Sequence, residues 1–295
     1  MSDPNVAPEF VAARHALLGV LEVLREQMAG LILVGAQAIY LHAPADQTRQ
    51  PTYTTDGDLV IDPDLLTERP DIGQTLLSAG YTAHSSPGTF FGPNGIAIDL
   101  MVPDGALPPP RRRTAELHGQ SAATARRTAG LELALFDASP MEITALDPAD
   151  ARIVTLRVAG PAALVIAKLT KLDERLAAPR QSRVLSKDAG DLLRLLRFCD
   201  SEAIGYRLRE LSSEAVGSRV VEKAIGFLRH DLSSRSPELI RLAVDDLDGI
   251  EPAAQIESAF RVLAARMLAT YDVEGGAGES EVQRAFVGPR GALSR

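Results

Sequence analysis

Residues Leu31–Asp62, LILVGAQAIYLHAPADQTRQPTYTTDGDLVID, carry the pattern on which the fold prediction depends. An apolar run ends at Gly35, and the stretch closes with Asp56 and Asp58, which are followed directly by Leu-Val-Ile. Side chains alternate between the two faces of a strand, so an Asp-Gly-Asp strand presents both carboxylates on one face. Two neighbouring carboxylates repel each other, and a cation that prefers oxygen ligands, Mg²⁺ or Mn²⁺, relieves that repulsion.

A third acidic candidate is Asp99, in the strand-like run Gly95–Pro103, GIAIDLMVP. It is the one charged residue in this run, and its apolar neighbours are of the types that are usually buried. Two structural alternatives stay open at this point. Asp56 and Asp58 could belong to a turn, because Asp-Gly is a hairpin signal, and Asp99 could be a structural acid with a charged partner.

Hydrophobic periodicity and turn residues predict a mixed α/β (α+β) fold. Asp62-Pro63-Asp64 is expected to cap a helix that runs to Ala79. The predicted strands are Leu31–Val34, Thr52–Ile61, Tyr81–His84, Thr89–Phe91, Gly95–Val102, Leu131–Phe136, Met141–Leu146 and Arg152–Val158, and the other predicted helices near the site are Ala36–His42, Ala162–Ala177 and Asp188–Phe198.

Three segments follow from this reading. Residues 1–158 form a mixed-sheet domain that carries the three acids, and residues 159–272 form a helical domain that completes the site. Residues 273–295, which begin with small and polar residues, are expected to be a disordered tail.

The composition is that of a globular protein, with 45% hydrophobic residues among 295 and one cysteine, Cys199. The N-terminus lacks the features of a signal peptide, and no apolar run is long enough to span a membrane, so we expect a cytoplasmic protein without a membrane partner. Residues 1–104 contain 4 Lys and Arg against 13 Asp and Glu, whereas residues 105–200 contain 15 against 11. The acidic first part suits a metal site, and the basic middle suits phosphate or nucleic acid.

The second informative stretch is Ala163–Asp191, in which Lys168 follows an apolar run and Lys187-Asp188 precedes Ala-Gly-Asp-Leu-Leu. Lys168 on an otherwise apolar helix could lie in the core or on a solvated face. Asp188 could have a functional role, or it could cap the helix that is predicted to start there.

Together, Val34-Gly35-Ala36, Asp56-Gly57-Asp58 and Asp99 resemble the DNA polymerase β-type nucleotidyltransferase superfamily, with Ala36 in place of the usual Gly or Ser. Lys168 and the Lys187–Leu192 sequence resemble the pattern of the AbiEii/MenT-like nucleotidyltransferase toxins within it. The resemblance spans Gly35–Asp191.

This resemblance implies a Mg²⁺-dependent (Mn²⁺ being possible) transfer of a nucleoside monophosphate from an NTP to an acceptor hydroxyl. It implies metal ligation by Asp56, Asp58 and Asp99, catalytic roles for Asp56, Asp58, Lys168 and Asp188, and nucleotide contacts by Gly35, Ala36, Thr54 and Lys168. Lys168 is the family's lysine, so Lys171 is expected to matter less.

The family also implies an RNA acceptor, such as a tRNA end, and a cognate antitoxin protein. Arg111–Arg113 with Arg126 and Arg127 are the candidate RNA contacts, although such residues are also common in solvated linkers. The alternatives are transfer to a small molecule such as an antibiotic or to a protein, and a catalytically inactive fold that only binds partners.

Overall fold

The computed structural model describes residues 6–44, 52–107, 115–177, 182–214 and 217–273. Arg111–Arg113 and all of the expected disordered tail except Val273 lie outside these ranges. None of the helices in the described part of the chain has the length and apolar character needed to cross a membrane.

One mixed sheet forms the centre of the molecule. Its strands are β1 (Leu31–Val34), β2 (Asp56–Ile61), β3 (Thr82–Ala83), β4 (Thr89–Phe91), β5 (Ala97–Pro103), β6 (Arg126–Thr128), β7 (Ala138–Thr144) and β8 (Ile153–Ala159). They lie in the order β3-β4-β5-β2-β1-β8-β7, and β6 also pairs with β5. The pairs β1–β8, β2–β5 and β5–β6 are parallel, whereas the other pairs are antiparallel. The mixed α/β fold class is therefore confirmed.

The α-helices of the described residues are α1 (Pro8–Val23), α2 (Gly35–His42), α3 (Ile72–Ser78), α4 (Pro161–Leu176), α5 (Ser182–Phe198), α6 (Ser201–Leu211), α7 (Ser218–Ser233), α8 (Glu238–Asp246) and α9 (Ala253–Tyr271). Short 3-10 helices span Arg25–Gly30, Asp104–Ala106 and Glu132–Leu135. After β8 the described chain is helical, as expected for the C-terminal part.

The core is continuous from the sheet into the helices. All four residues of β1 are buried, because β1 is a central strand with a neighbour on each side. Helix α1 packs on β2 and β5, whereas α2 contacts both α4 and α5. The contacts of α2 therefore bring the C-terminal helices against the sheet at the end of β1.

Several predicted elements differ from those observed. The helix expected from Asp62 begins only at Ile72, because Pro70 precedes its cap, Asp71. Within the expected strand Leu131–Phe136, residues Glu132–Leu135 form a 3-10 helix, and a short apolar run does not distinguish the two. Strand β6 was not predicted, since three residues are too few for a periodic signal.

Helix α5 also begins earlier than expected, at Ser182, so that Asp188 is an interior residue of the helix. The interpretation of Asp188 as a helix cap is therefore wrong. Strands β1 and β4 have the predicted bounds, whereas β2 begins at Asp56 instead of Thr52.

Replacing Asp71 with alanine should lower the free energy of unfolding by about 1–2 kcal/mol. The carboxylate of Asp71 accepts hydrogen bonds from the backbone N–H groups of Gln74 (2.7 Å) and Ser121, and so ties the start of α3 to a distant loop. Urea denaturation measures the effect. Asp64→Ala is the matched control, because Asp64 is exposed and precedes no helix; an equal loss in both variants would contradict the assignment of the cap.

Candidate functional site

The acidic residues of the site lie in one row across the sheet. In the pairing register, Val34 of β1 is opposite Asp58 of β2, Asp58 is beside Asp99 of β5, and Asp99 is opposite Thr89 of β4. Paired residues of neighbouring strands share a face of the sheet, and Asp56 shares the face of Asp58 because it is two residues away. The interpretation of Asp56 and Asp58 as turn residues is therefore wrong.

Gly57 explains why the two aspartates face away from α1. A Cβ atom at Gly57 would lie 3.0 Å from Ile98 Cδ1 and 3.7 Å from Leu17 Cδ1, so this side of β2 packs tightly against α1 and β5. A larger residue at this position would push the helix from the sheet. Alternation then directs Asp56 and Asp58 to the opposite face, towards α2 and the C-terminal helices.

Gly35 lies directly against the carboxylate of Asp58. Its φ of 68° lies in the left-handed region, and a Cβ atom there would be 2.1 Å from Asp58 Oδ2. Only glycine meets both requirements. The chain turns at Gly35 from β1 directly into α2, and Ala36 follows in the first turn of that helix, also lining the cleft.

Thr54 is buried and directed at Asp56. Its hydroxyl donates a hydrogen bond of 2.6 Å to Asp56 Oδ1. The amide of Gln37, in α2, donates to the backbone carbonyl of Asp56 at 2.8 Å. These contacts fix the start of β2 relative to α2, and they make Thr54 a direct partner of the acidic pair.

Asp58 has a strongly raised pKa. Burial is the largest cause, and the nearby charge of Asp56, with a smaller effect of Asp99, adds to it; Lys171 and Lys168 act in the opposite direction. The result is a pKa of about 7, well above the ordinary value of an aspartate. Two carboxylates in a poorly hydrated place do not both ionise easily without a cation.

Asp99, by contrast, has a cationic partner. Its Oδ2 accepts a hydrogen bond of 2.9 Å from Arg126 NH2, and its Oδ1 accepts one of 2.6 Å from the hydroxyl of Thr89. This contact agrees with the interpretation of Asp99 as a paired acid, and both of its oxygens are engaged within the protein.

Lys168 joins two aspartates of α5 from its position in α4. Its Nζ lies 2.8 Å from Asp188 Oδ1 and 2.7 Å from Asp191 Oδ2, and the lysine side chain is only 8% exposed. Burial by itself would lower the pKa of Lys168, but the two carboxylates raise it above its ordinary value. The interpretation of Lys168 as part of a solvated helix face is therefore wrong.

Three further cations surround these aspartates, and together we call them the basic rim. Lys171 and Arg175 contact Asp188 at 3.0 Å and 2.9 Å, and Lys187 contacts Asp191 at 3.2 Å. Burial by itself would raise the pKa of Asp188, but Lys168 and Lys171 outweigh it and bring the pKa to about 2. The rim is more exposed than Lys168, at 43%, 33% and 29% for the side chains of Lys171, Arg175 and Lys187.

These groups enclose one cleft with a volume of about 890 Å³. All the site residues predicted from the sequence line it: Gly35, Ala36, Thr54, Asp56, Asp58, Asp99, Lys168 and Asp188. Asp56 and Asp58 lie on its sheet side, and the basic rim lies on its α4–α5 side. The cleft thus places a carboxylate pair opposite a set of cations.

Sequence reasoning missed several residues of this cleft. Asp191 follows Asp188 by three residues, and helical spacing could have indicated that both face α4. The sequence pattern assigns Lys171 no role in the site, but its ammonium contacts Asp188 and its charge acts on Asp58. No local signal indicated Arg126 as a partner of Asp99, because a pairing between β5 and β6 brings them together.

No protein-family model matches this sequence, and no curated protein is significantly similar to it.

Asp58→Asn should flatten the dependence of the unfolding free energy on pH. Asp58 has a pKa of about 7 in the folded protein and about 4 in an unfolded chain, so the unfolded state loses its proton first and stability falls as pH rises between these values. Without metal, the variant should equal the wild type near pH 4 and exceed it by about 1–3 kcal/mol at pH 8.

Urea denaturation at a series of pH values, in buffer with a chelator, measures this difference. Asp64→Asn is the control, since an exposed aspartate should leave the profile unchanged. A wild type whose stability relative to Asp58→Asn is the same at every pH would contradict the raised pKa.

Proposed function

We propose that the protein is a nucleotidyltransferase that requires a divalent cation. The observation that carries this proposal is the distribution of ion pairs among the cleft aspartates. Asp99, Asp188 and Asp191 each lie within 3.2 Å of a basic side chain. Within the described residues, Asp56 and Asp58 form no salt bridge, although they face the same cleft. A half-buried pair of carboxylates without an ion-pair partner is a suitable binding place for a cation.

The donor set fits Mg²⁺ or Mn²⁺. Two carboxylates supply hard oxygen ligands, and Mg²⁺ in nucleotide sites takes its remaining ligands from water and phosphate oxygens. No group of three or more acidic, histidine or cysteine side chains in the described chain has the arrangement of a complete metal site. Asp56 and Asp58 would therefore hold the ion together with the nucleotide, where it supplies charge neutralisation at the triphosphate.

The basic rim is suited to bind phosphates. Lys171, Arg175 and Lys187 are already held in place by Asp188 and Asp191, so little side-chain entropy is lost when they contact a ligand. Lys168 gives two of its three N–H donors to these aspartates. In this proposal Lys168 holds Asp188 and Asp191, the aspartates that position the basic rim. Its third N–H donor is available to a phosphate.

The proposed reaction needs few covalent roles from the protein. An oxygen of the acceptor hydroxyl attacks the α-phosphorus, the bond from that phosphorus to the β-phosphate oxygen breaks, and pyrophosphate leaves while the hydroxyl proton passes to solvent. Gly35 and Ala36 line the cleft at the start of α2, and the backbone N–H groups of a first helical turn can bind a phosphate group. The chain contributes mainly orientation and electrostatic stabilisation, as is usual in phosphoryl transfer.

For the acceptor we propose the hydroxyl of an RNA, such as a tRNA end, as the resemblance to the AbiEii/MenT-like toxins implies. The protein would then be a toxin that a cognate antitoxin protein inhibits. Arg126 pairs with Asp99 in the cleft and Arg127 pairs with Asp104, so both of these arginines, which the sequence suggested as RNA contacts, have carboxylate partners within the protein. Incubation with α-labelled NTPs and separate pools of tRNA, protein and small hydroxylated compounds identifies the acceptor. Label in protein or small compounds alone would replace the RNA proposal.

A second candidate is a protein that binds nucleotide without transferring it. The observation that favours it is the Asp99–Arg126 pair, since the third acid of the expected metal site is engaged by an arginine. Nucleotide binding without labelled product, under all acceptor conditions, would support this candidate.

Asp56→Ala and Asp58→Ala should each abolish nucleotide transfer while the fold is kept. Each change removes one of the two carboxylates to which the cation is assigned and relieves repulsion in the apo protein. Transfer of α-labelled NTP measures activity, and the rise in melting temperature caused by Mg²⁺ with NTP measures binding. Asp64→Ala, outside the cleft, is the control; near-normal transfer by either site variant would refute the metal assignment.

Lys171→Ala should weaken NTP binding by about tenfold, the effect of a lost charge-assisted hydrogen bond. Lys168→Ala should instead lower the free energy of unfolding by about 3 kcal/mol, because it leaves two buried carboxylates with less compensation. Nucleotide titration and urea denaturation separate the two effects. Lys223→Ala is the matched control, since Lys223 pairs with Asp173 outside the cleft; unchanged NTP binding in Lys171→Ala would exclude it as a phosphate contact.

A further inference from the structure

Arg126 lies in the cleft beside Asp99, the residue that was expected to be the third acidic metal ligand. In the parallel pairing of β5 and β6, Arg126 is the partner of Met101, two residues beyond Asp99 on the same face of β5. Its NH2 group donates to Asp99 Oδ2 at 2.9 Å, while the Thr89 hydroxyl binds Asp99 Oδ1. Direct coordination of a metal by Asp99 would have to displace or share these contacts.

The structure holds Arg126 firmly in this place. Its NH1 group also donates to the Thr89 hydroxyl at 3.3 Å. The backbone around it is tightly packed, because a Cβ atom at Gly88 would lie 2.6 Å from the backbone nitrogen of Arg126 and 2.3 Å from the carbonyl oxygen of Leu100. Gly88 also has a φ of 79°, so both the close packing and the backbone conformation require glycine at this position. Close packing therefore fixes the backbone of Arg126, and hydrogen bonds to Asp99 and Thr89 hold its guanidinium.

Arg126 is also a permanent positive charge that faces the acidic pair. Burial would lower its pKa, but Asp99, and more weakly Asp58 and Asp56, raise it above its ordinary value. A divalent cation bound at Asp99 would have to share this place with the guanidinium, and two cations at such short range repel strongly. The positive charge of Arg126 therefore already lies where a second metal ion would bind beside Asp99.

We propose that Arg126 takes the place of a second metal ion, so that the site binds a single divalent cation at Asp56 and Asp58. Asp99 is then a positioning residue that holds Arg126, and the guanidinium supplies the positive charge on this side of the cleft. This inference rests on the proposed function, from which it takes Asp56 and Asp58 as the metal ligands. It departs from the two-ion arrangement that is common in transfer to hydroxyl groups.

Counting bound Mn²⁺ by electron paramagnetic resonance tests the proposal without a turnover assay. The full chain is titrated with Mn²⁺ at saturating α,β-methylene triphosphates of adenosine, guanosine, cytidine and uridine in turn, with correction for Mn²⁺ held by free nucleotide. The wild type should bind one ion per chain. Arg126→Met should bind two, because the loss of the guanidinium frees Asp99 for a metal, and Arg126→Lys should bind one because it keeps the charge.

Arg127→Met is the matched control and should bind one ion, because Arg127 pairs with Asp104 instead of Asp99. Melting curves establish that each variant folds. Two ions in the wild type would overturn the inference and leave the proposed function intact, and so would a single ion in a folded Arg126→Met variant. No bound ion in a wild type that binds nucleotide would overturn the metal site of the proposed function and this inference with it.

A second pair of variants keeps the test decisive if Arg126→Met does not fold. Asp58→Asn should weaken the affinity for the single Mn²⁺ ion by at least about tenfold, because it removes a charged ligand, whereas Asp99→Asn should have a clearly smaller effect. Equal losses of affinity in the two variants would make Asp99 a metal ligand and overturn the inference.

Discussion

The carboxylate of Asp58 lies against the backbone of Gly35, at a separation that a side chain at position 35 would not allow. This contact is possible because β1 and β2 are antiparallel neighbours with Val34 opposite Asp58, and because the chain turns at Gly35 with a positive φ. The same turn starts α2, whose side chains contact β2 through Gln37 and α5 through Tyr40. The sheet side and the helix side of the cleft are therefore joined through one short helix.

Charge compensation divides the cleft into three parts. On the helix side, Asp188 and Asp191 are compensated by Lys168 and the basic rim, and the depressed pKa of both acids reflects this. At the β5–β6 edge, Asp99 is compensated by Arg126. Asp56 and Asp58 lie between these parts without an ion pair in the described chain, and burial together with the nearby charge of Asp56 raises the pKa of Asp58. The uneven compensation points to where a cation would bind.

The two lysines of α4 that lie in the cleft, Lys168 and Lys171, differ in burial and in their contacts. Lys168 is nearly buried and its contacts are with protein carboxylates, so its removal acts on the fold as well as on any ligand. Lys171 is three residues further along α4, is far more exposed, and faces Asp58 as well as Asp188. Lys168, the lysine of the recognised sequence pattern, thus contacts buried aspartates, whereas Lys171, one turn away, is the more exposed of the two in the cleft.

The sequence by itself determined the parts of this protein that depend on short-range patterns. Alternation placed Asp56 and Asp58 on one face of a strand, the run of four apolar residues gave β1 its bounds, and Asp99 was correctly assigned to a strand. The positions of Lys168 and Asp188 on two helices were also predicted, although the start of α5 was not. These features could be predicted because each depends on residues close in the chain.

Only the tertiary structure decided which charges meet. Arg126 pairs with Asp99 across 27 positions, and Lys168 pairs with Asp188 and Asp191 across 20 and 23. Strand order and helix packing determine these partners, and neither leaves a periodic signal in a single sequence. The cleft has more aspartates than the sequence pattern required, and the ion pairs of the described chain distinguish Asp99, Asp188 and Asp191, which have basic partners, from Asp56 and Asp58.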